Sequence, residues 1–251
     1  MRCVQDGILS PTAPTESLPT MPKIPPAIRF ACCAATCAAL FFTASRLFAE
    51  DQPCNFPPAS AADKDGWISL FNGKDLTGWK LGDAKQSKIH VEDGKIVAAG
   101  PRSHAFTDWQ FKNFEFEAEV MTTPHSNSGI YFHSKYQATG FPDTGYETQV
   151  NVSHGDKVKT GSLYNVVKLY ETPAKDNEWW KQTIIVKGKN ITVKINGKTV
   201  MDYVEPEGVT GGRRVSCGSF ALQAHDPRSV TYYRNIRVKP LPDQPERRRR
   251  S

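Results

Sequence analysis

Residues 114–120 read Phe-Glu-Phe-Glu-Ala-Glu-Val, and this unbroken alternation limits what the chain can fold into. In an extended strand, successive side chains point to opposite faces. Phe114, Phe116, Ala118 and Val120 therefore share a buried face, and Glu115, Glu117 and Glu119 share a wet one. A row of carboxylates on the outer face also resists edge-to-edge association. The same grammar runs through the chain. Residues 88–99 form two β-rich runs around Glu92-Asp93-Gly94, a hairpin signal. Lys187-Gly188-Lys189-Asn190 and Asn196-Gly197-Lys198 punctuate three more runs and set two hairpins in succession. Trp67–Phe71, residues 160–170, 220–225 and 230–238 read as further strands, and Trp79 suits a core anchor. No segment longer than about ten residues carries the 3.6-residue period of a helix. Roughly a dozen short strands separated by turns argue an all-β sandwich or barrel. The lack of strand–helix alternation excludes doubly wound sheets and (β/α)8 barrels. No G-x-x-x-x-G-K-[ST], G-x-S-x-G or H-E-x-x-H occurs, so these phosphate, serine-hydrolase and zinc-protease motifs are missing.

The ends of the chain read differently. Residues 30–49 are an apolar run behind Lys23 and Arg29, closing on Ala49 before Glu50-Asp51, which suits a signal peptide over about 21–49 of a leader spanning 1–49. Arg46 interrupts the run, which disfavours a permanent membrane span, so the mature chain is expected to hold no integral membrane segment. Secretion or periplasmic residence follows as an expectation. Residues 50–64 read as a Pro- and Ala-rich linker, 65–240 as the domain, and 241–251 as a basic tail ending in Arg247–Arg250. Four of the six cysteines lie in the leader (Cys3, Cys32, Cys33 and Cys37), leaving Cys54 and Cys217 able to pair in an oxidising compartment. The formal charge of +6 is carried largely by leader and tail. Elsewhere Lys and Arg are scattered among acids, which excludes nucleic acid as a partner.

Function is expected in the stretch from Asn127 to Val150. Strand parity places Ile130 and Phe132 on one face, with Tyr131 and His133 on the other. It places Tyr146, Thr148 and Val150 opposite Glu147, Gln149 and Asn151. Along 220–225, Phe220, Leu222 and Ala224 face the core, while Gln223 and His225 face away. If the three strands share a sheet, the pairs Tyr131/His133, Glu147/Gln149 and Gln223/His225 line one surface. Side-chain amides and carboxylates match sugar hydroxyl pairs, and Asn127, Gln149 and Gln223 are candidates for that role. Aromatic rings stack on apolar sugar faces, with Trp109, Tyr131, Tyr146 and Trp179 as candidates. Glu147 is the foremost acid/base candidate, since a carboxyl among aromatic walls has its pKa raised. His133 and His225 are candidate bases. A divalent metal held by His133, Glu147 and His225 is a candidate cofactor.

The segments F-N-G-K-D-L-T-G-W (71–79), V-E-D-G-K-I (91–96), F-E-F-E-A-E-V, N-S-G-I-Y-F, G-Y-E-T-Q-V, T-G-S-L-Y, I-N-G-K-T-V, F-A-L-Q-A-H and Y-R-N-I-R-V occur in this order. Together they resemble the 3-keto-disaccharide hydrolase domain family, over about residues 65–240. The resemblance implies a concanavalin A-like jelly-roll sandwich of two antiparallel sheets in a secreted or periplasmic bacterial protein. It implies action on 3-keto-glycosides, in which a C3 ketone acidifies the C2 proton so that a base can drive loss of the C1 substituent. Such a site needs one base and an oxyanion stabiliser. Glu147, Gln149 and His225 match the family's Y-E-x-Q and L-Q-x-H positions. His133 stands where many members of the family carry arginine. The same sandwich is shared with lectins, so a non-catalytic carbohydrate-binding module is the second expectation.

Overall fold

The computed structural model describes residues 54–243. The expected leader, the first residues of the expected linker and most of the expected basic tail lie outside the described residues. Thirteen strands follow one another: β1 (Ile68–Ser69), β2 (Trp79–Gly82), β3 (His90–Glu92), β4 (Lys95–Ala99), β5 (Ser103–Thr107), β6 (Phe114–Thr122), β7 (Asn127–Ser134), β8 (Tyr146–Asn151), β9 (Trp180–Lys187), β10 (Asn190–Ile195), β11 (Lys198–Val204), β12 (Ser219–Ala224) and β13 (Val230–Pro240). They form two antiparallel sheets. The larger runs β11-β10-β9-β6-β13-β4-β3, with β1 also paired to β13, and the smaller runs β2-β5-β12-β7-β8. This is the two-sheet all-β sandwich the sequence foretells. Among the described residues no helix is long and apolar enough to cross a membrane.

Strand β6 obeys its alternation. Phe114, Phe116, Ala118 and Val120 are fully buried, while Glu117 pairs with Lys181 and Arg237, and Glu119 with Arg234. Opposite them, Ile130, Phe132, Phe220 and Leu222 of the smaller sheet complete the core. The expected hairpins β3–β4, β9–β10 and β10–β11 form, the last with a register shift between Val193 and Lys194. Trp79 is buried in the core and donates its ring N–H to the Leu70 carbonyl at 2.7 Å.

Two expectations change. Residues 160–170 do not make a strand: Gly161 (φ 95°) and Asn165 (φ 61°) break the extended run. The piece between them instead caps the edge of β8, with Gln149 N–H bonding Ser162 O and Tyr164 N–H bonding Glu147 O. The described part of the Pro-rich lead-in is tied to the sandwich. Cys54 is disulfide-bonded to Cys217, 163 residues away, and Asn55 bonds Asp108 and Gln110.

Candidate functional site

The strand order β12-β7-β8 makes neighbours of the three segments that carry the polar pairs, which sequence alone could not bring together. Tyr131 lies opposite both Ala221 and Glu147, and Gly129 lies opposite Gln149. The outward face of these strands is the floor of a cleft of about 330 Å³, and Asn127, Tyr131, Glu147, Gln149, Gln223 and His225 all line it. Six of the ten expected site residues therefore meet in one place.

Glu147 is the centre of this floor. It is 5 % exposed, and its carboxyl lies over the backbone of Gly129. A Cβ at position 129 would meet Glu147 Cγ and Cδ at 2.9 Å and Oε1 closer still. Glycine in the N-S-G-I-Y-F segment thus makes room for the carboxyl. Burial pushes the Glu147 pKa up to about 7; a bond from Tyr131 and the charge of Arg213 pull it down, and Asp156 adds to the rise. A carboxyl so poised can take or give a proton near neutrality. Burial, reinforced by the charge of Glu147, holds the Tyr131 phenol protonated. Tyr131 accepts a bond from Gln223 Nε2 at 2.9 Å, and Gln149 Nε2 donates to Asn127 Oδ1 at 2.8 Å. The carbonyl oxygens of Gln149 and Gln223 are buried and have no hydrogen-bond partner within the protein. These are two fixed acceptors suited to hydroxyl groups.

At one end of the cleft His225 shares its Nδ1 with Asp226 Oδ2 at 3.0 Å, which leaves Nε2 as the ring's other proton-exchanging atom. Burial raises the Asp226 pKa. Bonds from the Ser229 hydroxyl, the Arg228 N–H and His225 outweigh that and hold it at about 2. Asp226 is thus an anion at neutral pH, bonded to the His225 ring.

The other expected residues lie elsewhere. His133 leaves the Tyr131 face because two steps along β12 (Ser219 to Ala221) answer three along β7 (Ser134 to Tyr131), a bulge with His133 at φ 57°. Parity is lost there, and the imidazole packs against Phe114 and Phe132. Its Nε2 bonds Lys112 O at 2.8 Å and its Nδ1 accepts the Ser216 N–H at 3.1 Å. Both nitrogens are occupied, and burial pushes its pKa down to about 4 against the pull of the Lys112 carbonyl. His133 therefore cannot join Glu147 and His225 around a metal. Among the described residues no group of three or more His, Cys, Asp or Glu side chains is placed to hold one. Tyr146 is in the core and donates to Glu205 Oε2 at 2.6 Å. Trp109 packs against the core, and Trp179 lies under Arg234 at 4.0 Å, among residues of the larger sheet.

Four residues that sequence reasoning did not select complete the cleft: Phe141, Asp156, Tyr164 and Arg213. All sit on loops, where no period reports orientation. The signal for Arg213 was the Gly211-Gly212 pair before it. A Cβ on Gly212 would collide with the Asp143 carbonyl, so glycine permits the loops 205–218 and 135–145 to touch. Gly145 N–H bonds Gly212 O at 2.9 Å, and Arg213 Nη2 bonds Pro142 O at 3.0 Å.

Comparison with known proteins agrees with this architecture. The chain is 28% identical over 172 residues to a 3-keto-disaccharide hydrolase of Bacteroides thetaiotaomicron, covering 56% of this chain and 59% of that protein. It therefore spans well under two thirds of that relative's length. Its fold is similar to that of a Parabacteroides distasonis protein provisionally named a glycosyl hydrolase. The TM-score there is 0.62 at 24% identity, over 76% of this chain and 100% of that one. The exoplasmic domain of VIP36, solved with Ca2+ and Man3GlcNAc bound, shares the fold at TM-score 0.52 and 10% identity, over 74% and 92% of the two chains. The sequence profile of the 3-keto-alpha-glucoside-1,2-lyase-like domain matches residues 66–239, from the residue before Trp67 to the last residue but one of β13, and the chain belongs to that family.

Proposed function

We propose that the protein cleaves 3-keto-glycosides by elimination across C2 and C1, followed by hydration. The observation that carries this reading is Glu147, a buried carboxyl held near pKa 7 among sugar-matching amides and within reach of a cation's field. Glu147 takes the C2 proton, and the electron pair moves onto the C3 oxygen as an enolate, next to Arg213 and the Tyr131 hydroxyl. The pair then returns to form the C1–C2 double bond as the C1–O bond breaks, and His225, held by Asp226, gives its proton to the departing oxygen. Water next adds at C1 of the enone with His225 taking its proton, while Glu147 returns a proton to C2. Both side chains end as they began, and the sum is hydrolysis. Preorganised donors aimed at the developing enolate supply the electrostatic part of the barrier lowering. The family match and the relative's name support this substrate class.

A carbohydrate-binding module is the second reading, favoured by the unpartnered amide oxygens of Gln149 and Gln223. Incubation of the purified protein with a 3-keto-glucoside decides between the two. Release of the leaving group, with exchange of the C2 hydrogen into deuterated solvent, is the expected result. Saturable sugar binding with neither release nor exchange overturns the enzyme reading and leaves the binding module.

Gly129 gives an independent check. Gly129→Ala forces the Glu147 carboxyl off its seat, and a displacement of about 1 Å in a reacting group costs about 100-fold in rate. The variant is expected to stay folded by circular dichroism, with kcat down about 100-fold. Unchanged kcat would show that Glu147 does not act from its seat over residue 129.

A further inference from the structure

Tyr131 is 1 % exposed and Tyr164 is half-buried, whereas Phe141 is 45 % exposed, so the cleft's open aromatic surface is that of Phe141. This residue is not a stray surface hydrophobe. Its carbonyl accepts Gln137 Nε2 at 2.9 Å, the next carbonyl accepts Arg213, and Gly140 N–H bonds Asp83 Oδ2 at 3.1 Å. Arg102, itself bonded to Asp83, lies over the ring, 5.1 Å from its centroid.

Against the ring sits His104, fully buried, with neither ring nitrogen bonded to protein. Its ring meets Phe141 edge-on at 5.8 Å and Tyr131 at 5.4 Å. Burial lowers its pKa to about 4, so it stands as a neutral wall fixing the pitch of Phe141. On another side Phe141 lies 6.1 Å from the His225 ring. An exposed aromatic face held rigid beside a polar cleft pays little ordering entropy when a ligand ring covers it.

We infer that Phe141 is the stacking platform for the leaving group, and that the cleft selects 3-keto-glycosides whose aglycone presents a ring face, such as a second sugar, over those with a small alkyl aglycone. This rests on the proposed elimination in one respect: His225, its neighbour, is the residue assigned to protonate the departing oxygen. The aglycone must therefore pass over Phe141.

Binding tests the inference separately from turnover. A 3-keto-glucosyl disaccharide and methyl 3-keto-glucoside are titrated calorimetrically into Glu147→Gln protein, with and without Phe141→Ala. The C3-hydroxyl disaccharide, which cannot eliminate, is titrated into otherwise wild-type protein as a second measure. Loss of one stacked ring is expected to weaken the disaccharides about tenfold. Methyl glycoside binding should stay within about twofold, and Phe141→Trp should restore disaccharide binding. Equal weakening of both aglycones overturns the inference. A disaccharide-selective loss, when the wild type with Glu147 intact releases no leaving group from either 3-keto-glycoside, keeps the inference and sinks the elimination reading. Failure of the protein to bind either ligand sinks both.

Discussion

Replacing Glu147 with glutamine is expected to lower kcat on a 3-keto-glucoside by about 100- to 10,000-fold, the range set by a positioned proton-transfer group, and at the same time to make the protein more stable in alkali. Both effects have one cause. The folded-state pKa is raised from an ordinary 4.5 to about 7 because burial penalises the charged form. Below pH 4.5 the carboxyl is protonated in both folded and unfolded chains and costs nothing. As pH rises through about 7 the folded protein must either ionise a buried group or hold a proton that the unfolded chain has released. The penalty is then fully developed above that pKa, and a rise of this size corresponds to about 3 kcal/mol. Glutamine keeps the shape and an acceptor for Tyr131 but never ionises. Thermal melts should show Glu147→Gln gaining several degrees at pH 8.5 and nothing at pH 4. In the wild type, kcat/KM should rise with pH through about 7, since the base form does the work. A stability gain identical at both pH values would mean that Glu147 is not strained by its site.

How far the sequence reaches is clear from three strands of the smaller sheet. Along β12 and β8 the period of two holds, and parity alone places Gln223, Glu147 and Gln149 on the cleft side. Along β7 the same rule holds through Tyr131 and then fails, because a bulge is an inserted residue and not a change of composition. What marks the bulge is its surroundings. Gly145 and Gly218 flank it, and a Cβ on either would strike the backbone of residues 132–134. Each glycine reads alone as a turn, and only contact between distant segments gives them meaning. Among the loop residues of the cleft, Arg213 is illegible for the same reason. Arg213 arrives through a bond between segments far apart in sequence, whereas Asp156 is held by local bonds within its own loop. The fold follows from local alternation, whereas the Arg213 side of the site follows from long-range closure.

Those closures yield the second large effect. Arg213→Ala is expected to cost about 100- to 1,000-fold in kcat, the range for removing a donor that meets developing charge, and His133, although outside the cleft, is expected to matter through it. The loop bearing Arg213 is fastened at several points: Val215 N–H to Glu205 Oε2 at 2.7 Å, the same carboxyl to the Tyr146 hydroxyl, Ser216 N–H to His133 Nδ1, and Cys217 to Cys54. His133, a candidate base and metal ligand by sequence, and Tyr146, a candidate sugar contact, hold instead the segment that bears Arg213. His133→Ala removes the acceptor for Ser216 and opens a hole between Phe114 and Phe132. A stability loss of about 2–4 kcal/mol should follow, with kcat down about tenfold as the guanidinium loses its fixed position. A merely structural role would produce the first loss without the second, so the decisive measurement is the double-mutant cycle. If His133 acts by positioning Arg213, the two kcat effects must fail to multiply, and His133→Ala must cost almost nothing once Arg213 is alanine. Two losses that multiply would detach His133 from Arg213 and overturn the positioning role.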